Sequence, residues 1–153
     1  MKSFLDMRFE YKRYYGITDS DIGRPVIPIT LYNPRAASAP SVGYHGLVDS
    51  GADFCVFSRE IAELLEIDLT AGERYSGTGP VASESRPVYF HEIEIGIGPY
   101  GSRLRVPVWA GFMPDLTDSG YGLLGRHGFF SSLTFVKFKE TDNILEIGKQ
   151  RRV

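Results

Sequence analysis

Short runs of alternating apolar residues, separated by glycine and proline, are the feature that most limits how this chain can fold. In Phe90–Ile97, apolar side chains fall at every second position from Ile93 onward, which is the period of a strand with one buried face. The 17 glycines and 9 prolines among 153 residues punctuate similar runs along the whole sequence. This texture predicts an all-β fold of many short strands. The predicted strands are Phe4–Lys12, Val26–Tyr32, Gly43–Asp49, Glu73–Ser76, Arg86–Ile97, Ser102–Ala110, Leu133–Lys137 and Ile144–Ile147.

One segment, Ser58–Ile67, has helical rather than strand periodicity. It begins with a residue suited to cap a helix and places Ile61, Leu64 and Leu65 on one face. A further helical turn is predicted over His127–Ser132. The length suits a single domain, which we assign to residues 24–153 after an N-terminal extension, residues 1–23.

Composition and charge argue against several function classes. The net charge of −2 is atypical of a protein that binds nucleic acid through a basic face. No segment approaches the roughly 18 apolar residues of a membrane span, and the amino terminus has no run that resembles a signal peptide. Cys55 is the single cysteine, so no intrachain disulfide can form, and we expect it to be buried. We therefore expect a cytoplasmic protein without nucleic-acid or membrane partners.

The strongest local signal for chemistry is an apolar strand that ends in Asp49-Ser50-Gly51-Ala52. The strand holds Asp49 at a fixed place, where its carboxylate suits general acid–base chemistry on water. Ser50 can stiffen the turn by hydrogen bonding. Gly51 is expected to allow backbone geometry that a Cβ atom would forbid, and Ala52 leaves room for close approach.

A second Asp-Ser-Gly tripeptide, at Asp118, shows that the motif alone is weak. Chance supplies roughly 0.1 copies of Asp-Ser/Thr-Gly in a chain of this composition. No apolar strand leads into Asp118, and Tyr121 stands where the first copy has a small residue. We therefore expect a loop or turn at this second copy.

A downstream segment, Leu123-Leu124-Gly125-Arg126, gives the first copy its significance. Together with Leu47-Val48-Asp49-Ser50-Gly51-Ala52, it resembles the paired motifs of the retropepsin-like aspartic proteases, over roughly Pro25 to Gly148. The resemblance implies a closed or partly open β-barrel of the retropepsin-like acid protease type, with one or two short helices. It also implies that Leu123, Leu124 and Gly125 form a strand against the loop that carries Asp49.

The resemblance further implies a homodimeric aspartic endopeptidase that acts on a peptide or protein substrate. Each chain would contribute one Asp49 to a shared pair, and Ser50 would hydrogen-bond across the dimer. Two carboxylates at such close range share one proton, so one can activate water while the other protonates the scissile carbonyl oxygen. In the family, an acid and an arginine often pair beside this site, here Asp53 and Arg126, and could brace it.

A flap over the substrate is also implied, and the candidates are Ser76, Gly77, Thr78 and Gly79. Pro80 departs from the usual glycine-rich tip and removes an amide donor. Val81, Val108 and Leu123 are candidates for pocket walls.

Other features receive structural interpretations. Gly96–Gly101 matches a dinucleotide-binding pattern by letters, but a strand follows it, so we expect a hairpin turn. His45, His91 and His127 lack metal-ligand spacing, and no metal or cofactor is expected. Trp109 is expected in the core.

Two alternatives to an active protease remain. The first is a retropepsin-fold dimer with weak or no catalysis that acts as a peptide-binding or assembly module. The second is an unrelated small β-barrel or sandwich that binds a small ligand.

Overall fold

The structure is a computed structural model, and it describes residues 4–14, 22–75, 86–98, 101 and 103–151. Within these ranges one helix, α1, covers Arg59–Leu64, and single 3-10 turns cover Leu69–Ala71, Phe130–Ser132 and Glu140–Asp142. The strands are β1 (Phe4–Glu10), β2 (Lys12–Tyr14), β3 (Ile22–Arg24), β4 (Val26–Tyr32), β5 (Val42–Val48), β6 (Val56–Ser58), β7 (Glu73–Tyr75), β8 (Val88–Ile97), β9 (Leu104–Met113), β10 (Gly122–Leu124), β11 (Phe135–Lys139) and β12 (Ile144–Gln150).

Six of these strands close into a barrel. Their order is β4-β5-β10-β6-β9-β8, and pairing of β4 with β8 closes the ring. The same edge of β8 also pairs with β7, at a different stretch of residues from β4. The expected all-β barrel with a short helix is confirmed. Closure matters for stability because it leaves the ring strands few unpaired backbone groups.

Alternation along β8 and β9 fills the barrel. Ile93 and Ile95 point inward and are fully buried, opposite Val108 and Val106 of β9. Burial of each such side chain contributes about 1.5–3 kcal/mol. The same alternation points Trp109 outward, where it is 45% exposed. The expectation that Trp109 lies in the core was therefore wrong, because its neighbours in β9 take the inward positions.

A second sheet, in the order β1-β12-β11, joins the two ends of the chain. Leu5 and Met7 of β1 pack in the same buried cluster as the barrel residues. Tyr11 ties this segment down further, since its hydroxyl donates to Glu140 Oε2 at 3.0 Å and its amide to the Asn143 carbonyl at 2.8 Å. Residues 4–11 thus contribute to the main core, and the boundary at residue 24 stays a prediction.

The helix is shorter than the predicted Ser58–Ile67. Ser58 occupies the N-cap position, but its hydroxyl makes no capping hydrogen bond. Ile61 and Leu65 are buried as expected, whereas Leu64 is 54% exposed, so its assignment to the buried face was wrong. The helical range ends at Leu64, and Glu66 has a left-handed φ of 56°, which turns the chain away.

Three smaller expectations concern Gly96–Gly101, Cys55 and membrane spans. β8 and β9 pair antiparallel up to Ile97 and Leu104, so the hairpin interpretation is confirmed. Cys55 is fully buried, and burial raises the pKa of its thiol to about 11, so the thiol stays protonated at neutral pH. Among the described residues, no helix is long and apolar enough to cross a membrane.

Candidate active site

Asp49 lies where two distant segments of sequence meet. β5 and β10 run parallel, with Leu47 beside Leu123 and Val48 beside Leu124. Asp49 follows β5 directly, and its amide donates to the Leu124 carbonyl at 3.1 Å. The barrel thereby brings the Asp-Ser-Gly-Ala segment against the Leu-Leu-Gly segment.

The Asp49 carboxylate is half-buried and held by its own loop. Its Oδ1 atom accepts a hydrogen bond from the Gly51 amide at 2.8 Å, and its carbonyl accepts one from the Ala52 amide at 3.2 Å. Within the described residues Oδ2 has no hydrogen-bond partner. One oxygen is therefore fixed, and the other can meet a water molecule or a second carboxyl group.

At Gly125 a side chain cannot be accommodated. A Cβ atom there would overlap the backbone of Phe54 and lie 2.8 Å from the Ala52 carbonyl oxygen. Beyond it, the Arg126 amide donates to Ala52 and the His127 amide to Asp53, both at 2.8 Å. Gly125 thus lets the segment after Asp49 pack directly on the segment after β10.

Gly51 behaves differently from what the sequence suggested. Its φ is not in the left-handed region, and a Cβ atom would contact only Asp49 Oδ1, at 3.2 Å. A side chain would therefore crowd the carboxylate rather than break the backbone. The neighbouring Ser50 is exposed in the single chain, and its hydroxyl binds no described residue, so its role across a dimer stays a prediction.

Asp53 and Arg126 are neighbours through their backbones. Residues 52–54 run parallel to residues 125–127, with a bridge between Phe54 and His127. Both charged side chains are exposed, and the ion pairs formed between described residues do not include one between them. The two backbones therefore lie side by side, and the brace between the two side chains stays a prediction.

A lateral row of apolar residues begins beside Asp49. The strand register places its residues side by side on the outer face of five barrel strands. The adjacent residues Val48, Leu124 and Phe57 point to the opposite face and are buried. Leu47, two residues before Asp49, starts it. The row is Leu47, Leu123, Val56, Gly111 and Phe90.

Of this row, only Leu123 was predicted from the sequence to line a pocket. Alternation shows which residues of a strand share a face, but it does not show which residues of other strands lie beside them. Of the other pocket-wall candidates, Val108 is 2% exposed and points into the core, so it cannot line an outer pocket. Val81 lies outside the described residues.

Comparison with known proteins identifies the architecture. A retropepsin-like aspartic protease from Rickettsia conorii superposes with a TM-score of 0.59, at 14% sequence identity, over 99% of this chain and 97% of that chain. The chain has a retropepsin-like fold. Identity this low establishes the fold alone. No protein-family model matches the chain, and no curated protein matches it by sequence.

A second solved structure is less similar. EIAV protease complexed with the inhibitor HBY-793 covers 67% of this chain and 82% of that chain, at 21% identity and a TM-score of 0.36. A score of this size does not establish a shared fold.

Within the retropepsin-like fold, the second Asp-Ser-Gly tripeptide forms a surface turn, as expected. Asp118 Oδ1 accepts a hydrogen bond from the Gly120 amide at 2.7 Å, the same local contact that Asp49 makes with Gly51. Gly120 has a left-handed φ of 92°. Asp118 also accepts a hydrogen bond from the Tyr44 hydroxyl, and it follows no strand. The two tripeptides therefore share a turn but not the strand that makes Asp49 a site.

The contact between Tyr44 and Asp118 predicts a pH-dependent contribution to stability. The hydrogen bond from Tyr44 lowers the pKa of the Asp118 carboxyl, while burial and this same contact raise the pKa of Tyr44. A carboxyl whose pKa is lower in the folded state stabilises the fold above its unfolded pKa and loses that effect as pH falls through the folded value. Because Asp118 is exposed, we expect Tyr44→Phe to cost only about 0.5–1 kcal/mol at pH 7.

The measurement is urea unfolding of wild type and Tyr44→Phe at pH 7 and at pH 2.5. We expect the difference in unfolding free energy to shrink at the lower pH, as Asp118 becomes protonated. An equal difference at both pH values would show that Tyr44 acts through packing alone.

The flap candidates Ser76, Gly77, Thr78 and Gly79, together with Pro80, lie outside the described residues. β7 ends at Tyr75 and β8 begins at Val88, and these two residues are paired. The proposed flap therefore connects two antiparallel strands of the retropepsin-like fold.

Proposed function

We propose that the chain is a homodimeric aspartic endopeptidase in which Asp49 of each subunit activates the attacking water. The observation that carries the proposal is the position of Asp49. It lies at the end of a barrel strand, with one carboxylate oxygen fixed by the Gly51 amide and the other without a partner among the described residues. A rigidly placed acid beside an apolar surface is suited to general acid–base chemistry.

The proposal of a dimer rests on the absence of a second Asp-Ser-Gly aspartate beside Asp49 in the described chain, because Asp118 lies elsewhere. Asp118 binds Tyr44, whose backbone lies five residues before Asp49 and therefore about 16 Å away along the extended strand. Asp118 is also held in its own turn. A second copy of Asp49, brought by a second chain, is the simplest source of the missing partner.

The two Asp49 carboxyl groups share one proton, and this proton is restored at the end of each reaction cycle. The ionised Asp49 takes a proton from water as the water oxygen bonds to the peptide carbon, and the protonated Asp49 of the partner subunit donates to the carbonyl oxygen. When the carbon–nitrogen bond breaks, the first carboxyl returns its proton to the leaving nitrogen. The second carboxylate takes a proton from the gem-diol intermediate, so the pair returns to its starting state.

The apolar row is suited to bind an extended peptide substrate that has apolar side chains next to the scissile bond. Leu47, Leu123 and Val56 are partly exposed on the face that continues to Asp49. Burying such side chains against a substrate removes apolar area from water on both partners.

Truncation of the row tests this preference. We expect Leu123→Ser to lower kcat/KM for a peptide with leucine or phenylalanine at the cleavage site by about 10–100-fold, because one extra or missing apolar contact is worth about 1–3 kcal/mol. Leu116→Ser, at an exposed loop position, is the matched control and should leave kcat/KM unchanged. Equal kcat/KM in the two variants would remove Leu123 from the binding surface.

The function itself is tested with a peptide library between pH 4 and 7, alongside sedimentation analysis over a range of protein concentrations. We expect cleavage next to apolar residues and a dimer at the concentrations where cleavage occurs. Binding of library peptides without cleavage would instead favour the inactive peptide-binding module. A chain that cleaves while it remains monomeric would contradict the shared pair.

A further inference from the structure

A preformed cavity of about 340 Å³ lies at the far end of the apolar row from Asp49. Along one edge of β8, β7 pairs with Val88–Phe90 and β4 pairs with Glu94–Ile97. The residues between, His91–Ile93, have no strand partner on this edge in the described chain. The cavity occupies this gap, between the loop after β4 and the chain after α1.

The walls of the cavity are fixed by hydrogen bonds. His91 Nε2 lies 2.8 Å from the Leu69 carbonyl oxygen, and Asn33 Nδ2 donates to the Leu65 carbonyl at 2.9 Å. These contacts tie the loop after β4 and the chain after α1 to the rest of the fold. Because the walls are held before any ligand arrives, binding does not require them to be ordered.

An exposed aromatic ring forms one side of the cavity. Trp109 is 45% exposed, and its ring stacks on Phe90 with centroids 6.2 Å apart and an interplanar angle of 16°. Both rings line the cavity. A tryptophan held in this way offers a flat π surface that attracts ammonium and guanidinium groups.

The rim charge is complementary to a cation. Four carboxylates line the cavity against one guanidinium, that of Arg35; they are Glu66, Asp68, Glu73 and Glu92. The ion pairs between described residues include none of the four. Their combined field, next to a tryptophan face, favours a positively charged side chain over a neutral or acidic one.

The cavity is continuous with the row that starts at Asp49. Phe90 is the last residue of the row and also lines the cavity. Glu73, which pairs with Phe90 in β7, lines the cavity as well. From Leu47 to Phe90 the row crosses the four steps β5-β10-β6-β9-β8. At about 4.8 Å a step the path along the curved sheet is about 19 Å, so an extended peptide needs at most about six residues to reach the cavity.

We propose that this cavity is a remote substrate subsite that binds an arginine or lysine side chain within about six residues of the scissile bond. The proposal rests on the proposed function, since the row is its path from Asp49. It adds a requirement for a basic residue at a distance, in addition to the apolar residues at the cleavage site.

Trp109 is the single tryptophan of the chain, so its fluorescence reports directly on the cavity. The protein is Asp49→Asn, which cannot cleave the probe. The probes are sixteen-residue peptides of alanine and serine with a central Leu-Phe pair and one arginine two to seven residues to either side. Matched peptides carry citrulline, the neutral analogue of arginine, at the same position. We expect the arginine peptide to bind about tenfold more tightly at the best spacing, with the preference reduced at high salt.

Charge removal locates the effect. Glu73→Gln and Glu92→Gln together should abolish the preference for arginine over citrulline, whereas Glu63→Gln, an exposed carboxylate of α1 outside the cavity, should leave it intact. Equal affinity for the two peptides, or an unchanged preference in the double variant, would overturn the subsite. Because binding is read without cleavage, either result is independent of whether the wild-type chain hydrolyses peptides.

Discussion

Asp49→Asn is expected to lower kcat/KM for peptide hydrolysis by at least about 10³-fold, because it removes the carboxyl group that exchanges protons with water in the proposed reaction. Asparagine has the same shape as aspartate. Its side-chain oxygen can still accept a hydrogen bond from the Gly51 amide, as Asp49 Oδ1 does at 2.8 Å. The loop and the fold should therefore survive. The amide cannot take a proton from water or share one with a partner carboxyl.

The chain supplies its own control for this variant in Asp118→Asn. Asp118 has the same tripeptide and the same local contact with the glycine two residues on, but it lies on a surface turn beside Tyr44. We expect Asp118→Asn to retain kcat/KM within about twofold and to lose less than about 1 kcal/mol of stability. Initial rates on the best library peptide, with sedimentation analysis of both variants, make the comparison.

Two results would count against Asp49 as the catalytic acid–base. One is hydrolysis by Asp49→Asn within tenfold of wild type. The other is an equal loss in Asp118→Asn, which would indicate that either change simply perturbs the barrel. If Asp49→Asn binds peptides as wild type does and neither protein cleaves them, the fold serves as a binding module.

The sequence predicted the strands well where one face is buried and the other is in water. β4 has the predicted bounds, and β8, predicted from Arg86, begins two residues later at Val88. In both, the period of two is imposed by the pleat and by a core that accepts every second side chain. Closure of the barrel could not be derived from this pattern, since it depends on β4 meeting β8, and the resemblance to a family supplied it.

The predictions that Trp109 and Leu64 are buried were both wrong. Trp109 was assigned to the core by residue type and Leu64 by helical spacing with Ile61 and Leu65, yet each is about half exposed. In β9 the inward positions belong to Val108 and Ala110 on either side of Trp109. The position of a residue within its element decides its burial more strongly than its residue type does. A large apolar residue that is exposed in this way indicates a possible binding surface.

The site was predictable as two motifs but not as a surface. Leu123-Leu124-Gly125 and the segment ending at Asp49 were matched from sequence, and parallel pairing of β5 with β10 brings them together. The row from Leu47 to Phe90 and the cavity beyond it depend on register across five strands, which a single sequence does not encode visibly. The role of Gly125 also required coordinates, because its neighbours are backbone atoms of residues 52–54.

Gly125→Ala is expected to destabilise the protein by about 3 kcal/mol or more and to remove activity in the fraction that folds. The added Cβ atom would overlap the backbone of Phe54 and approach the Ala52 carbonyl oxygen to 2.8 Å. Backbone in a closed barrel cannot move aside as a flexible side chain can, so the cost exceeds that of ordinary overpacking, which is typically about 1–3 kcal/mol. Any relief must shift residues 52–54, and with them the turn that orients Asp49.

Gly43→Ala is the matched control, because a Cβ atom at Gly43 would meet no atom within 4 Å. Gly43 lies in β5, the strand that leads to Asp49. Replacing a strand glycine where space is available reduces the entropy of the unfolded chain, so this variant should be neutral or slightly stabilised. A loss of about 3 kcal/mol corresponds to a fall in Tm of roughly 6–12 °C for a domain of this size.

Thermal and urea unfolding of the two alanine variants, at one protein concentration because a dimer links stability to concentration, provides the measurement. Peptide hydrolysis at a temperature where both are folded then separates stability from function. We expect Gly43→Ala to keep its activity and Gly125→Ala to lose it even when folded, since Asp49 can act only where its loop holds it. If the unfolding free energies of the two variants differ by less than about 1 kcal/mol, the close contact of Gly125 with residues 52–54 is not what holds the Asp49 loop in place.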